Sequence, residues 1–413
     1  MKLGILSQWF DPEPGPAAIP GVYAREFIKG GHEVSVLTAY PNYPDGKIYP
    51  GFRQRPASKS VSGGIRLTRV PVYPSHDSST IGRMANYVSF ASSATVFGGQ
   101  ALRQVDGIWV YNSPITVSLP LLIHSKWGKV PYFLQVQDLW PDSLIDSGMF
   151  PGGLVGKLAA GVISAVVRLT ENRSVIVGVS SPGARDLILE RNPRLSGEQV
   201  VAAPNPTDES IFRPIHTLMS RSIPDAPWRG YFTVMYVGAV GEVQGLDSVV
   251  DAAELLRSEE QINFVIVGDG IARQRLEARA RAAGLRNVTF VGRVEKESVP
   301  GLMATADVQL VALAERPFLR YTTPSKIASL LASQVPIIGQ LSGDGAELIH
   351  GSGAGILAKP EDADSLAAAV TQMEKLSSIE RSAYAARGRS YYEKHLSAEV
   401  AARTVVDALG RHA

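Results

Sequence analysis

The sequence contains no cysteine, which excludes disulfides, thiolate metal sites and a cysteine nucleophile. Its 7 histidines are scattered, and even the nearest pair, His395 and His412, is too far apart for an HxxxH zinc motif. The net charge is only +2, which is too small for a dedicated nucleic-acid binder. Any chemistry here therefore uses neither sulfur ligands nor a local histidine cluster.

Long apolar runs are also missing. The N-terminal run is too short for a signal peptide, and the most apolar stretch, residues 158–167, is shorter than the ~20 residues of a membrane-spanning helix. We expect residues 158–167 to form a buried helix, with an interfacial helix as the alternative. The expected location is the cytoplasm, with peripheral contact to the inner face of the membrane as a variant.

The sequence does contain a large apolar fraction, and its charge is unevenly distributed between its two halves. The 413 residues, 45% of them hydrophobic, predict two or three domains with sizeable cores. Residues 1–205 hold 19 Lys and Arg against 14 Asp and Glu, a net +5, whereas residues 206–413 carry a net −3. The basic half fits an anionic partner or a membrane surface. A chance distribution of surface charge explains it equally well.

Strand and helix patterns alternate along the chain, in two series separated by the proline-rich stretch 204–227. The first series predicts strands at 2–6, 32–38, 108–110, 132–136 and 174–179, and a helix at 21–30. The second predicts strands at 232–237, 263–267, 288–291, 308–312 and 336–338, and helices at 246–256, 272–283, 299–306, 325–333 and 364–376. This alternation predicts an α/β fold of two doubly wound, Rossmann-like domains. We expect ligands beyond the carboxyl ends of the strands, in the cleft between the domains.

Residues 40–72 form a long segment without an apolar pattern, and basic and aromatic residues alternate along it. Loops of this length in compact domains are usually functional or mobile. We therefore expect a loop that contacts an acceptor or a membrane. A solvated excursion is the alternative.

Glycine-rich turns follow three predicted strands, at Gly15, at Gly238–Gly241 with Gly245, and at Gly268 and Gly270. Such turns let backbone N–H groups approach a phosphate at a helix N-terminus. Tight turns also need glycine for steric reasons alone, and Arg273 stands where a complete GxGxxG would have its third glycine.

Two polar motifs have the residue types of a transfer site. In Pro324-Ser325-Lys326, Ser325 is predicted to cap a helix and Lys326 to lie in its first turn, where a cation is unfavourable unless an anion binds. An ordinary exposed lysine is the alternative. After the strand at 132–136, Asp138 is placed to orient or deprotonate an acceptor hydroxyl, and Trp140 to stack on a ring. Asp142, and Asp362 with Asp364, fit helix capping better than catalysis or metal binding.

Together these motifs resemble the GT-B fold glycosyltransferases of the large retaining family 4. Within that family they are most similar to the bacterial surface-polysaccharide group typified by L-fucosamine transferases. The resemblance covers nearly the whole chain. The motifs that carry it are PEPGPAA at 12–18, GHEV at 31–34, YPNYP at 40–44, QVQDLWPD at 135–142, APN at 203–205, YVG at 236–238, QGL at 244–246, VGDG at 267–270, VTFVG at 288–292, PSK at 324–326 and AE at 346–347.

The resemblance implies an acceptor-binding domain at 1–206, a donor-binding domain at 207–389, and a C-terminal helix at 390–413 that packs back on the first. It implies a nucleotide-diphosphate sugar, UDP-linked and of N-acetylhexosamine type, a lipid-linked glycan or small-molecule acceptor, retention of anomeric configuration, and no metal or other cofactor. The catalytic residues it implies are Asp138, Gln137 and Lys326. The donor-binding residues are Gly238, Gly241, Gln244, Gly245, Gly268, Gly270, Arg293, Arg320, Pro324, Ser325 and Glu347, and the acceptor-binding residues are Gly15, Pro16, Ala17 and Trp140.

The chain departs from the family pattern at five positions. Ala239 and Gln244 stand where most members carry Arg and Lys, and Ile19 replaces an arginine of the subgroup. Tyr321 and Ser329 occupy the places of two glutamates that contact the donor sugar and the ribose. We therefore expect Lys326 and Arg320 to neutralise the diphosphate. The alternative is a catalytically silent nucleotide-sugar-binding partner of another transferase; a GT-B epimerase and a nicotinamide-dependent dehydrogenase fit less well.

Overall fold

A computed structural model gives the fold for residues 1–75, 80–140, 153–218 and 225–412. The chain divides into two compact units, the first formed by Met1–Pro206 with Ala398–Ala413 and the second by Thr207–Ser397. Each unit is built on its own sheet with strands that run almost entirely parallel, so the predicted fold class is confirmed. The predicted cap at Asp142 lies outside the described residues.

The sheet of the first unit has eight strands in the order β3-β4-β2-β1-β5-β6-β7-β8. All neighbouring strands are parallel except β3 and β4, which form an antiparallel hairpin. The strands are β1 (Lys2–Leu6), β2 (Glu33–Ala39), β3 (Ser58–Ser62), β4 (Ile65–Val70), β5 (Gly107–Asn112), β6 (Tyr132–Val136), β7 (Ile176–Val179) and β8 (Val200–Ala202). The expectation that residues 40–72 form a loop throughout is therefore wrong, because the polar sequence of β3 forms an exposed edge.

Helices cover both faces of this sheet, in agreement with a doubly wound unit. They are α1 (Ile19–Lys29), α2 (Thr80–Phe97), α3 (Gly99–Arg103), α4 (Ser118–Gly128), α5 (Gly153–Arg173) and α6 (Pro182–Arg191). One face is covered by Phe90, Leu102 and Leu121, which pack on Leu37, Val110 and Leu134. The prediction of a buried helix at 158–167 is wrong, because Leu158 and Val162 of α5 are 64% and 66% exposed. No helix within the described ranges meets the length and hydropathy of a membrane span.

The second unit contains a six-stranded parallel sheet in the order β11-β10-β9-β12-β13-β14. Its strands are β9 (Phe232–Val237), β10 (Ile262–Val267), β11 (Val288–Gly292), β12 (Val308–Ala312), β13 (Ile337–Gln340) and β14 (Gly355–Ala358). Its helices are α7 (Asp247–Leu255), α8 (Arg273–Ala282), α9 (Val299–Met303), α10 (Ser325–Ala332), α11 (Asp344–Ser352), α12 (Ala363–Lys375) and α13 (Ser378–His395). Asp362 caps α12 by accepting a hydrogen bond from the Ser365 N–H at 2.8 Å, as the sequence predicts.

The last helix, α14 (Ala398–Gly410), belongs to the first unit. Its residues Val405 and Leu409 pack with Tyr23 and Phe27 of α1 and with Trp109 of β5. The segment predicted to return to this unit, 390–413, starts too early, because residues 390–397 lie in the second unit. Tyr392 of α13 is fully buried there and donates to Glu209 at 2.8 Å.

Two backbone turns interlock at the carboxyl edge of the second sheet. After β9, the Gly238 N–H donates to Val267 at 2.9 Å and the Val240 N–H donates to Asp269 at 2.9 Å. After β10, Gly268 and Gly270 have φ values of 138° and 157°, and a Cβ on either would overlap a backbone carbonyl of the first turn. The two glycines are thus required by the close approach of the turns.

We expect Gly268→Ala to lower the free energy of unfolding by about 3 kcal/mol, because the new methyl would overlap the Gly238 carbonyl and force the turns apart. Gly284→Ala is the matched control, since Gly284 also has positive φ, at 67°, but has nothing within 4 Å of its Cβ position. The control should lose only about 1 kcal/mol. Urea titrations followed by circular dichroism measure both values. Equal losses would contradict the interlock.

Candidate functional site

Lys326 lies at the point where the order of the second sheet reverses. Gly238 follows β9, and α10 follows the neighbouring strand β12, so both are at the carboxyl edge where ligands of such sheets bind. Lys326 is in the first turn of α10, as predicted. The prediction that Ser325 caps this helix is wrong: Ser325 is the first helical residue, Pro324 is the N-cap, and no side chain caps it.

The ammonium of Lys326 is buried, and no side chain in the described part of the chain supplies a counter-charge. Its Nζ lies 3.8 Å from the centre of the Tyr236 ring and 2.7 Å from where a Cβ of Gly238 would be. It has no hydrogen-bond partner among the described residues. Burial lowers the pKa of Lys326 to about 7. The aromatic ring compensates only part of the lost hydration, so the site favours an anion.

Tyr236 links this lysine to the first glycine turn. Its hydroxyl donates to the Ala239 carbonyl at 2.7 Å, so the ring is held beneath the ammonium. Further along the turn, the Gln244 side chain accepts from the Gly241 N–H at 3.0 Å. Gly245 has a φ of 61°, and a Cβ there would meet the Ala314 backbone at 3.2 Å. Of the predicted donor glycines, Gly238 therefore lies directly beside Lys326, and Gly245 has a steric reason to be glycine.

An open pocket of about 600 Å³ lies beside the second glycine turn. Its lining residues are Asp269, Gly270, Ile271, Gln274 and Arg293. Ile271 is 86% exposed, so its side chain offers an apolar surface at the rim of this pocket. The structure thus brings two predicted donor residues, Gly270 and Arg293, to one pocket, together with Ile271 and Gln274, which the sequence analysis missed.

Other predicted donor residues have different surroundings. Arg320 is exposed and donates two hydrogen bonds to Glu315, at 2.8 and 3.0 Å, so its charge is already paired. Glu347 lies exposed in the first turn of α11. Ser329, in the place of the second family glutamate, shares a 2.7 Å hydrogen bond with Thr207, and Tyr321 is exposed. Lys326 is therefore a better candidate for a phosphate contact than Arg320.

In the first unit, Asp138 is a predicted site residue whose pKa is shifted by its surroundings. It follows β6, and its Oδ2 accepts from the Ser113 hydroxyl at 3.0 Å, at the end of neighbouring β5. Burial raises the pKa of Asp138, and the Ser113 hydrogen bond opposes part of that rise. A carboxylate with a raised pKa is a stronger base, which suits a role toward an acceptor hydroxyl.

The neighbours of Asp138 in the motif are engaged with the protein. Gln137 exchanges two hydrogen bonds with Asn205, at 2.6 and 3.2 Å, so both amides are held in one orientation. The backbone carbonyl of Trp140 accepts from Arg191 at 2.9 Å. Asn205 and Ser113 were missed by sequence reasoning, although Asn205 stands in the APN motif.

The predicted acceptor segment forms a short 3₁₀ helix at Gly15–Ala18 after β1. The Pro16 carbonyl accepts from the Tyr111 hydroxyl at 3.2 Å. Just before it, the buried carboxylate of Glu13 accepts backbone N–H bonds from Phe10, Asn42 and Tyr43, at 2.8 to 3.1 Å. Glu13 thereby ties the loop after β1 to the loop after β2. The PEPG motif contains it, but no spacing rule indicates this role.

Metal ligands are not gathered at either site. Across residues 1–75, 80–140, 153–218 and 225–412, no three His, Asp or Glu side chains are grouped to hold an ion.

The charge state of Lys326 predicts a pH-dependent stability. Its pKa falls from 10.5 in the unfolded chain to about 7 in the folded one, so burying the charge costs most below pH 7. The cost falls as pH rises from 7 toward 10.5, because the lysine of the unfolded chain then loses its proton as well. Lys326→Met should therefore raise the free energy of unfolding at pH 7 by at most about 5 kcal/mol, with little gain near pH 10.5.

Urea titrations across this pH range measure the difference between the two proteins. Lys359→Met serves as the matched control, because Lys359 is an exposed lysine of the same unit. If Lys326→Met raised the free energy of unfolding equally at every pH, the charge of Lys326 would not be the cause of the lost stability.

Comparison with known proteins gives the family. The family model described as "Glycosyl transferase 4-like domain" matches residues 15–206, and the model described as "Glycosyl transferases group 1" matches residues 231–375. A glycosyl transferase assigned to colanic acid biosynthesis, WcaI of Escherichia coli (strain K12), is 29% identical over 343 residues, covering 80% of this chain and 81% of its own.

Solved structures share the fold. HepE of Anabaena, solved in complex with UDP and glucose, matches with a TM-score of 0.67 and 15% identity over 99% of each chain. Sucrose-phosphate synthase of Thermosynechococcus elongatus matches with a TM-score of 0.68 and 17% identity, over 100% of this chain and 98% of its own. Since the two family models together span both units, the chain belongs to the GT-B glycosyltransferases of family 4.

Proposed function

We propose that this chain moves a sugar of N-acetylhexosamine type from a UDP-linked donor to a lipid-linked glycan or small-molecule acceptor, with retention of anomeric configuration. The observation that carries the proposal is the buried ammonium of Lys326, which has no counter-charge among the described residues. Two structural relatives support the donor class: HepE was solved with UDP-glucose, and a trehalose-6-phosphate protein of E. coli with UDP-2-fluoro glucose.

The second unit is the proposed donor unit. A diphosphate beside Gly238 and Gly241 would meet Lys326, and the uncapped N-terminus of α10 adds backbone donors there. The pocket at Gly270, with Arg293 and Ile271, would take the base. As the bond between the anomeric carbon and the diphosphate breaks, charge builds on the departing phosphate, and Lys326 stabilises it. The proposed reaction needs no metal or other cofactor.

The first unit is the proposed acceptor unit. Asp138 orients the acceptor hydroxyl and takes up its proton as the new bond to the anomeric carbon forms. Gln137 is held by Asn205 beside it, and Trp140 offers a ring for stacking on a sugar. The segment Gly15, Pro16 and Ala17 lines the approach from β1. We place the protein in the cytoplasm, in contact with the inner face of the membrane.

Donor binding tests the role of Lys326. At pH 8 the free lysine is mostly neutral, and a bound diphosphate raises its pKa, so binding UDP should take up nearly one proton. Isothermal titration in buffers of different ionisation enthalpy measures this uptake. In Lys326→Met, the affinity for UDP should fall by about 10- to 100-fold, and the proton uptake should vanish.

Lys359→Met again removes an exposed lysine of the same unit and should change neither value. Unaltered UDP affinity in Lys326→Met would refute the assignment of Lys326 to the diphosphate.

Turnover tests the role of Asp138. We expect transfer from a UDP-N-acetylhexosamine in buffer containing EDTA, with the product anomer matching the donor by NMR. Asp138→Asn should reduce kcat by roughly 100- to 10,000-fold and leave UDP affinity unchanged, because it removes the base but not the donor unit. Ser113→Ala should have a smaller effect, since it removes only the hydrogen bond to Asp138. Inversion, or a strict metal requirement, would reject this mechanism.

A catalytically silent nucleotide-sugar-binding partner is the second candidate. It is favoured by Ser329, which stands in place of the family's ribose-contacting glutamate and is hydrogen-bonded to Thr207. UDP-sugar binding without turnover, together with a stable complex with a second transferase, would support it.

A further inference from the structure

Three neighbouring helices of the first unit expose apolar side chains. Helix α4 packs against both α2 and α5. Phe90 and Leu121 pack α2 and α4 on the same face of the sheet, so the outer sides of the two helices face the same way. We call the outer side of α2, α4 and α5 the docking face. Its exposed large apolar residues are Ile81, Met84, Val88, Val96, Phe97, Leu119, Trp127, Leu158, Val162 and Leu169.

Exposed large apolar residues are concentrated on the docking face. It holds 10 of the 20 large apolar residues that are exposed in the described part of the chain. On α5, Leu158, Val162 and Leu169 follow the spacing of one helix side, as Ile81, Met84 and Val88 do on α2. Helices of soluble proteins normally turn such a stripe toward the core, and a contiguous exposed patch marks an interaction surface.

The charged residues of these helices are basic, with one exception. Within α2, α4 and α5 the basic residues are Arg83, Lys126, Lys157, Arg168 and Arg173. The single acidic residue, Glu171, is buried and paired with Arg191. The exposed side of the three helices is therefore apolar and basic. This pattern matches helices that lie in the interface of an anionic bilayer.

We propose that the docking face binds an anionic lipid surface, with the apolar side chains at the acyl boundary and the lysines and arginines at the headgroups. A second copy of this chain is a poorer occupant, because it would bring two basic faces together. The proposal rests on the helices of the first unit and not on the proposed function. It assigns a surface to the membrane contact of that function, since a lipid-linked acceptor is presented at a bilayer.

Vesicle flotation tests the proposal with the full chain. The protein should float with phosphatidylcholine vesicles that contain phosphatidylglycerol, and less with phosphatidylcholine alone or at high salt. Leu158→Glu with Val162→Glu should lower the bound fraction by about tenfold or more. Ile379→Glu is the matched control, since Ile379 is an 80% exposed helical residue of the second unit, and it should leave binding unchanged.

Two further measurements test the proposal even if Leu158→Glu with Val162→Glu fails to fold. Lys157→Ala with Arg168→Ala keeps the apolar side chains and should remove the preference for phosphatidylglycerol. Brominated lipids should quench Trp127, which is 68% exposed, and Trp127→Phe should remove that quenching. UDP affinity, measured alongside, should stay at the unaltered level in every variant of the docking face, because those variants leave the proposed donor unit untouched.

Absence of flotation with both vesicle types would overturn the proposal. So would equal loss of binding in Ile379→Glu. Light scattering gives the third opposing result: a dimer that Leu158→Glu with Val162→Glu converts to a monomer would assign the docking face to a contact between copies.

Discussion

The interlock of the backbone turns after β9 and β10 is the constraint on which the candidate donor site depends. Because Gly268 and Gly270 lie against carbonyls of the first turn, neither turn can move without the other. The first turn also holds Tyr236 through its Ala239 carbonyl, and Tyr236 lies under Lys326. The second turn lines the pocket with Arg293. The proposed phosphate contact and the proposed base pocket are thus positioned by one interlocked piece of backbone.

Each unit buries an ionisable side chain, and burial shifts its pKa toward the neutral form. Burial brings the pKa of the Lys326 ammonium down to about 7 and raises the pKa of the Asp138 carboxyl. Each group costs stability in the free protein, and in the proposed function a ligand or a reacting group offsets that cost. Burial raises the pKa of Glu13 as well, but three backbone N–H groups donate to its carboxylate and oppose part of that rise.

Most of the fold follows from local patterns in the sequence. Strands β1, β6, β9 and β12 are apolar runs whose bounds the sequence predicts to the residue. Hairpin strand β3 was missed because an edge strand of polar residues has no apolar alternation. The exposure of α5 was missed because composition does not tell a helix that faces protein from one that faces another surface. The contacts of Asp138 with Ser113, and of Lys326 with Tyr236, join residues far apart in sequence, and periodicity does not reveal such pairs.

Helix α14 makes the second unit an insertion within the first. Its Val405 and Leu409 fill the apolar surface of Tyr23, Phe27 and Trp109, so that surface stays uncovered until residues 398–410 have left the ribosome. By then the whole of Thr207–Ser397 has emerged with its own core. During synthesis the N-terminal domain usually completes its folding first, and here that order of folding is reversed. A nascent chain halted before Ala398 would expose the apolar surface of Tyr23, Phe27 and Trp109, an aggregation-prone state that chaperones recognise.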